Sequence, residues 1–214
     1  MFRATLSVFG GLFTLLTLGI IGTAIAIGGI FWVYGKDLPS HSSLAQYKPP
    51  TISRIYSAEG KLIDEFARER RLFTASEDIP SLIKHAFISA EDKNFYSHPG
   101  YDLLGIFSAI FDAARTGGRR VRGASTITQQ VMKNFLLDGS RKAERKVKEI
   151  ILATRIEDTL SKEEILELYL NEIFLGQNSY GVTAAAQTYF NKTLDDLAPH
   201  EAAFLASLPK APSD

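Results

Sequence analysis

The chain has 214 residues, 24 lysines and arginines against 24 aspartates and glutamates, 45% hydrophobic residues and no cysteine. That length suits one folded domain with attachments, and the lack of cysteine excludes a disulfide scaffold, a thiol nucleophile and a Cys-based zinc site. A net charge of zero excludes a chain dominated by nucleic-acid binding, so no nucleic-acid partner is expected.

The charges are unevenly placed, with none between Arg3 and Lys36. After a short N-terminal segment, residues 1–6, residues 7–34 form a continuous apolar run. A bilayer core takes about 20 apolar residues in a helix, so this run predicts one transmembrane helix. Trp32 and Tyr34 fall where an interfacial aromatic belt would place them, and Arg3 on the short side favours a cytoplasmic N-terminus. The competing reading is a cleaved signal peptide, with Ala24-Ile25-Ala26 as the cleavage site. The run continues well past that site, beyond the about 7–15 residues of a signal h-region. Residues 35–50, with Pro39, Pro49 and Pro50, read as a linker leaving the membrane.

Two β-prone runs, Thr51–Tyr56 and Lys61–Phe66, flank Ala58-Glu59-Gly60 and predict a hairpin within residues 51–75. From Pro80 the pattern turns helical, and residues 76–214 are expected to form a mostly α domain. Pro80 suits a first helical turn, and Leu82, Ile83, Ala86, Phe87 and Ala90 recur at helical spacing. A stretch rich in glycine and arginine, Thr116–Gly123, follows; beyond it Ile127, Val131 and Phe135 share one stripe. Ser140 is placed to cap a helix reaching Arg155. Ser161 with Glu164 forms a capping box opening a helix that should stop at Gly176. Tyr180–Phe190 and Pro199–Leu208 supply two more helices.

Three places suit chemistry. Glu91, with Asp92 beside it, ends the Ile83/Phe87/Ala90 stripe. A carboxylate at the edge of a buried face loses hydration, the condition for general acid/base work; the plain alternative is a solvated Glu-Asp pair at a helix end. Gly123–Gln130 is a glycine-bounded loop whose hydroxyls open a helix, a setting that attracts anions. On that helix Gln130, Lys133 and Asn134 share a polar face, which an ordinary amphipathic helix would also show. Lys142, Arg145, Lys146 and Glu149 lie on one helical strip, three cations around one carboxylate. Such a strip suits a diphosphate, with the carboxylate positioning a cation or a metal ion, or else is a solvated face held by i,i+4 pairs. Ser81-x-x-Lys84 and Ser207-x-x-Lys210 fit the pattern of penicilloyl serine enzymes but lack its companion motifs. The four histidines show no metal-ligand spacing.

Together these segments resemble one family. Glu91–Gly100 matches its E-D-x-x-F-x-x-H-x-G motif, Gly123 with Ser125–Gln130 matches G-x-S-T-[IL]-T-Q-Q, Arg145–Glu149 matches R-K-x-x-E, and Ile165–Gly176 matches a fourth motif. The chain is similar to the peptidoglycan glycosyltransferase module of class A penicillin-binding proteins, from about residue 51 to the end. The resemblance implies a lysozyme-like helical fold with a large lobe and a smaller membrane-proximal lobe. It implies polymerisation of lipid II into β-1,4-linked glycan, with inversion at the donor and release of undecaprenyl pyrophosphate.

By this likeness Glu91 is the general base and Glu149 the second carboxylate, assisting the leaving group directly or through a divalent ion such as Mg or Mn. Lys133, Arg145 and Lys146 correspond to pyrophosphate contacts. Ser125, Thr126, Gln130 and Asn134 fall on donor-site positions, while Asp92 and His98 support Glu91. No organic cofactor is implied. The expected partners are lipid II, the growing lipid-linked glycan, the bilayer and other proteins of cell-wall synthesis. The expected place is the bacterial cytoplasmic membrane, single-pass, with the catalytic domain on its outer side. The family's bifunctional members continue into a transpeptidase domain. This chain stops at Leu208–Asp214, about where the glycosyltransferase module ends, so peptide crosslinking and covalent β-lactam binding are not expected of it. A lysozyme-like glycan hydrolase is the alternative enzyme, though it has no diphosphate to neutralise; a catalytically silent membrane scaffold is the non-enzymatic one.

Overall fold

The computed structural model describes residues 2–36, 38, 53–60, 62–66, 70–117, 123, 125–136 and 142–210. The expected Ser140 cap, the loop arginines Arg119, Arg120 and Arg122, and most of the linker lie outside these residues.

Helix α1 spans Phe2–Gly35. Its 23-residue stretch Phe13–Gly35, whose most apolar 18 residues have mean hydropathy 2.0, is long and apolar enough to cross a bilayer. Thr14, Thr17 and Thr23 donate their hydroxyls at 2.8 Å to carbonyls one turn back, which satisfies these three hydroxyls within the helix. At its end Lys36 stacks over Trp32, 3.3 Å from the ring centroid.

Strands β1 (Ser53–Tyr56) and β2 (Leu62–Phe66) pair antiparallel, as the alternating runs predict. Gly60, at φ 77°, closes the turn by donating its N–H to the Ser57 carbonyl at 2.9 Å. A second, parallel pair joins β3 (Arg70–Arg71) to β4 (Ser179–Tyr180). It is tied down by the Arg71–Glu172 ion pair and by Arg71 lying 4.4 Å over the Tyr180 ring.

The helical body comprises α2 (Ser81–Glu91), α3 (Leu103–Thr116), α4 (Ile127–Leu136), α5 (Lys142–Glu157), α6 (Lys162–Glu172), α7 (Val182–Phe190) and α8 (Pro199–Ser207). Helix α4 packs between α5 and α6, and α2 packs on α8. Ile83, Phe87, Phe95, Ile127, Met132, Leu152, Ile156, Leu166 and Tyr169 fill the interior between them, all essentially buried. At about 1.5–3 kcal/mol for each such side chain, this core is the main stabiliser of the fold.

The structure departs from the sequence expectation at the end of α6, at the start of α7 and in the presence of α3. The capping box at Ser161 and Glu164 is present, but α6 ends at Glu172, not Gly176. Ile173 turns extended at ψ 130°, because Phe174 bridges to Tyr180 and the Leu175 N–H donates to the Ser179 carbonyl at 3.0 Å. Tyr180 accordingly belongs to β4, and the next helix begins at Val182. Helix α3 was not singled out from the sequence at all. It is capped by Asp102, whose Oδ1 accepts the Gly105 N–H at 2.9 Å. Its Leu103, Leu104, Phe107 and Phe111 are exposed.

Candidate active site

Asp92 is the joint of the site. It follows α2 directly, and its Oδ2 accepts the backbone N–H of Ile127, the first residue of α4, at 2.9 Å. The same oxygen pairs with His98 Nε2 at 2.8 Å. Gly100 N–H donates to His98 Nδ1 at 3.1 Å, so Nδ1 carries no proton and Nε2–H is the donor to Asp92. His98 is therefore a neutral buried strut. Gly100 sits at φ 88°, and a Cβ there would lie 2.6 Å from the Ala153 carbonyl oxygen. Only glycine lets the loop press this closely on α5. The Gly100 carbonyl in turn accepts the Thr126 hydroxyl at 2.8 Å and Gln129 Nε2 at 3.3 Å. Thr126 Oγ1 also accepts the Gln129 N–H at 3.2 Å, the bond of a helix N-cap. Behind these, Lys162 donates at 2.7 Å both to the His98 carbonyl and to Glu157, which accepts the Thr128 hydroxyl at 2.6 Å.

This frame opens a groove of about 890 Å³. Of the residues singled out from sequence, Glu91, Asp92, Ser125, Thr126, Gln130, Lys133 and Glu149 line it together. Glu91 and Glu149 lie 58 positions apart in sequence, so only the tertiary fold brings them to one groove. Glu91 is 10% exposed; Gln130 Nε2 donates to its Oε2 at 2.9 Å, and its Oε1 has no hydrogen-bond partner.

Glu149 is enclosed differently. At 7% exposure its Oε2 lies 3.2 Å from Lys146 Nζ and its Oε1 lies 3.3 Å from Arg145 Nε. Lys146 Nζ also donates to Ser125 Oγ at 2.7 Å and Gln129 Oε1 at 2.8 Å, which fixes the cation against the groove wall. Arg145 reaches the groove through Glu149. Lys142 lies on α5, but its side chain lies outside the described residues. Asn134 is exposed one position beyond Lys133 and is not a groove-lining residue.

Among the described residues no donor set could hold a divalent ion by side chains alone. Cations already sit on both Glu149 oxygens, and the described residues contain no group of three or more His, Asp or Glu side chains able to hold a metal.

Several groove residues escaped the sequence reading. Gln129 lay inside a recognised motif but was not singled out. Asn94 and Asp102 line the wall and bond each other at 2.8 Å. Asp102 is held below the ordinary aspartate range, first by the Gly105 N–H and then by Asn94. Lys210 is the least legible. Its S-x-x-K spacing to Ser207 is indeed idle, because Ser207 Oγ bonds the Phe204 carbonyl at 2.7 Å. Yet Lys210 Nζ donates to the Ala90 carbonyl at 3.1 Å and stands 4.0 Å from Glu91 Oε1. Tyr169, on α6, buries a hydroxyl without a partner; burial first, then the Glu91 and Asp92 charges, push its ionisation well up.

Similar proteins identify the family of this chain. Residues 59–214 match the family model described as Transglycosylase. Penicillin-binding protein 1A of Rickettsia felis is 55% identical over 86% of this chain and 24% of that protein. The same-named protein of Neisseria flavescens is 50% identical over 92% and 24%. The chain thus spans about a quarter of the length of the curated relatives it matches. A crystal structure of penicillin-binding protein 1A from Haemophilus influenzae shares 32% identity, covering 78% of this chain and 15% of that one, at a TM-score of 0.40. The acidic and cationic motifs that meet in the groove all fall inside the matched stretch, and the chain belongs to the transglycosylase family.

Proposed function

We propose that this chain is a membrane-anchored peptidoglycan glycosyltransferase that polymerises lipid II. One observation carries the reading: a sparsely bonded carboxylate, Glu91, and a carboxylate bracketed by cations, Glu149, line one groove.

In the proposed step the 4-hydroxyl of the acceptor sugar attacks the anomeric carbon of the donor from the face opposite its diphosphate. Glu91 accepts the hydroxyl proton as the new C–O bond forms, while Gln130 holds its Oε2 in place. The anomeric C–O bond breaks and its electron pair leaves on undecaprenyl pyrophosphate. Lys133, Lys146 and Arg145 meet that developing charge, and being already fixed by the fold, Lys146 needs little reorganisation to do so. Ser125, Gln130 and Lys133 are the donor contacts. Asp92 and Thr126 line the groove but spend their polar atoms on Ile127, His98, Gly100 and Gln129, so they shape it.

The apolar α1 is read as the anchor, with Arg3 in the cytoplasm and the helical body on the outer face of the bacterial cytoplasmic membrane. Labelled lipid II tests the whole reading. A polymerase consumes it into long glycan, whereas a hydrolase leaves lipid II intact and shortens preformed glycan.

A further inference from the structure

From Phe13 to Val33 the side chains of α1 are exposed with little exception, but Tyr34, Gly35 and Leu38 are partly covered, and Leu38 packs against the hydrophobic core. The covering element is α5. Arg155, half-buried near the end of α5, donates from Nη2 to the Gly35 carbonyl at 3.1 Å. That carbonyl is one of those left without an intrahelical partner at a helix C-terminus, where the helix dipole also favours a cation. Among the described residues no carboxylate forms an ion pair with Arg155. A Cβ at Gly35 would lie 3.2 Å from Nη2, a tight contact that even the smallest side chain would impose on this approach. The other cation at this end, Lys36, is turned onto Trp32 instead.

We infer that Arg155 is a positioning residue that clamps the end of the anchor helix onto the helix carrying Arg145, Lys146 and Glu149. Arg145 and Glu149 lie on the same rigid rod as the clamp, so fixing Gly35 fixes the cationic wall of the groove relative to the bilayer. A donor confined to the membrane presents its diphosphate at one depth, and the clamp holds the groove at a matching height. This rests on the transferase reading for its consequence, though not for its geometry.

The chain has no cysteine, so Leu18→Cys with Asp158→Cys gives two unique spin-label sites, one on α1 and one just past α5. In bilayer nanodiscs the otherwise unmodified chain should give a narrow distance distribution. Arg155→Ala should broaden it, and so should Gly35→Leu, which leaves Arg155 in place and only blocks its approach. In vesicles both variants, without the labels, should polymerise long-chain lipid II about tenfold more slowly, while their rates on a water-soluble short-chain donor stay unchanged. An unchanged distribution in both variants overturns the clamp. Equal loss on both donors together with a lowered melting temperature in both variants also overturns it, as a purely structural effect. If Arg155→Ala fails to fold, Gly35→Leu decides. If even the unmodified chain does not use lipid II, the transferase reading fails and the spin-label distances still judge the clamp.

Discussion

The two ends of the groove hold the same functional group in opposite ways. Glu91 has one hydrogen-bond donor on one oxygen, and its second oxygen has no hydrogen bond and a single cation, Lys210, 4.0 Å away. Glu149 is bracketed by two cations, with a hydrogen bond from Lys146 at 3.2 Å and an ion-pair contact to Arg145 at 3.3 Å. A carboxylate with spare lone pairs in a sheltered place is suited to receive a proton. A carboxylate between cations is suited to hold those cations where negative charge will arrive. Chemical identity alone would make the two residues equivalent; their neighbours divide the labour.

The sharpest break of this contrast is Glu91→Gln. It keeps the shape and an acceptor for Gln130 but removes the base, so polymerisation should fall about 10²–10⁴-fold with the melting temperature unchanged. Normal glycan synthesis by that purified variant would reject the assignment.

At the other end, Lys146→Ala removes the ammonium shared by Ser125, Gln129 and Glu149. Turnover should drop about 10²–10³-fold, measured as initial rate on lipid II. The accompanying loss of stability should be only about 1 kcal/mol in a denaturant titration. A variant that is badly destabilised yet fully active per folded molecule would reverse the reading.

Asp92→Ala probes the frame between the two ends. It strands the buried His98 Nε2–H and the Ile127 N–H, and should cost about 1–3 kcal/mol by chemical denaturation. Tyr169→Phe is the milder companion. Removing a buried hydroxyl that lacks a partner should leave stability unchanged or raise it by about 1 kcal/mol. A clear loss would mean that this hydroxyl is bonded in solution.

The smallest effect concerns pH. The Asp102 carboxyl is held below its ordinary 3.8 in the folded chain, chiefly by the Gly105 N–H. Its contribution is therefore full above that value and is lost as pH falls through the lower folded value. Hydrogen exchange at Gly105 should speed up in that acid window, and Asp102→Asn should abolish the pH dependence.

Much of this was legible in the chain. The apolar run, the hairpin, the capping box and the stripes of α2 and α4 follow from local periodicity and turn chemistry. Leu103, Phe107 and Phe111 recur at helical spacing, so α3 was legible by the same rule, although this apolar side is not buried in the core. Periodicity overran α6 because the stop comes from pairing with β4, a contact between residues the local pattern treats as one helix. Lys210 was set aside with an idle motif, since nothing near it in sequence points to Ala90 and Glu91, 120 and 119 positions away.

By itself the sequence determined which residues are apolar, which segments are helical and which side chains carry charge, because these depend on composition and on neighbours within one or two turns. Only the tertiary structure decided that Glu149 lies between two close cations while Glu91 meets one at a longer distance, that Asp92 and Thr126 are spent on the frame, and that Arg155 meets Gly35. Those outcomes depend on which donors reach which acceptors across long stretches of chain. Such pairings are fixed when the core closes, and they leave no periodic trace in the order of residues.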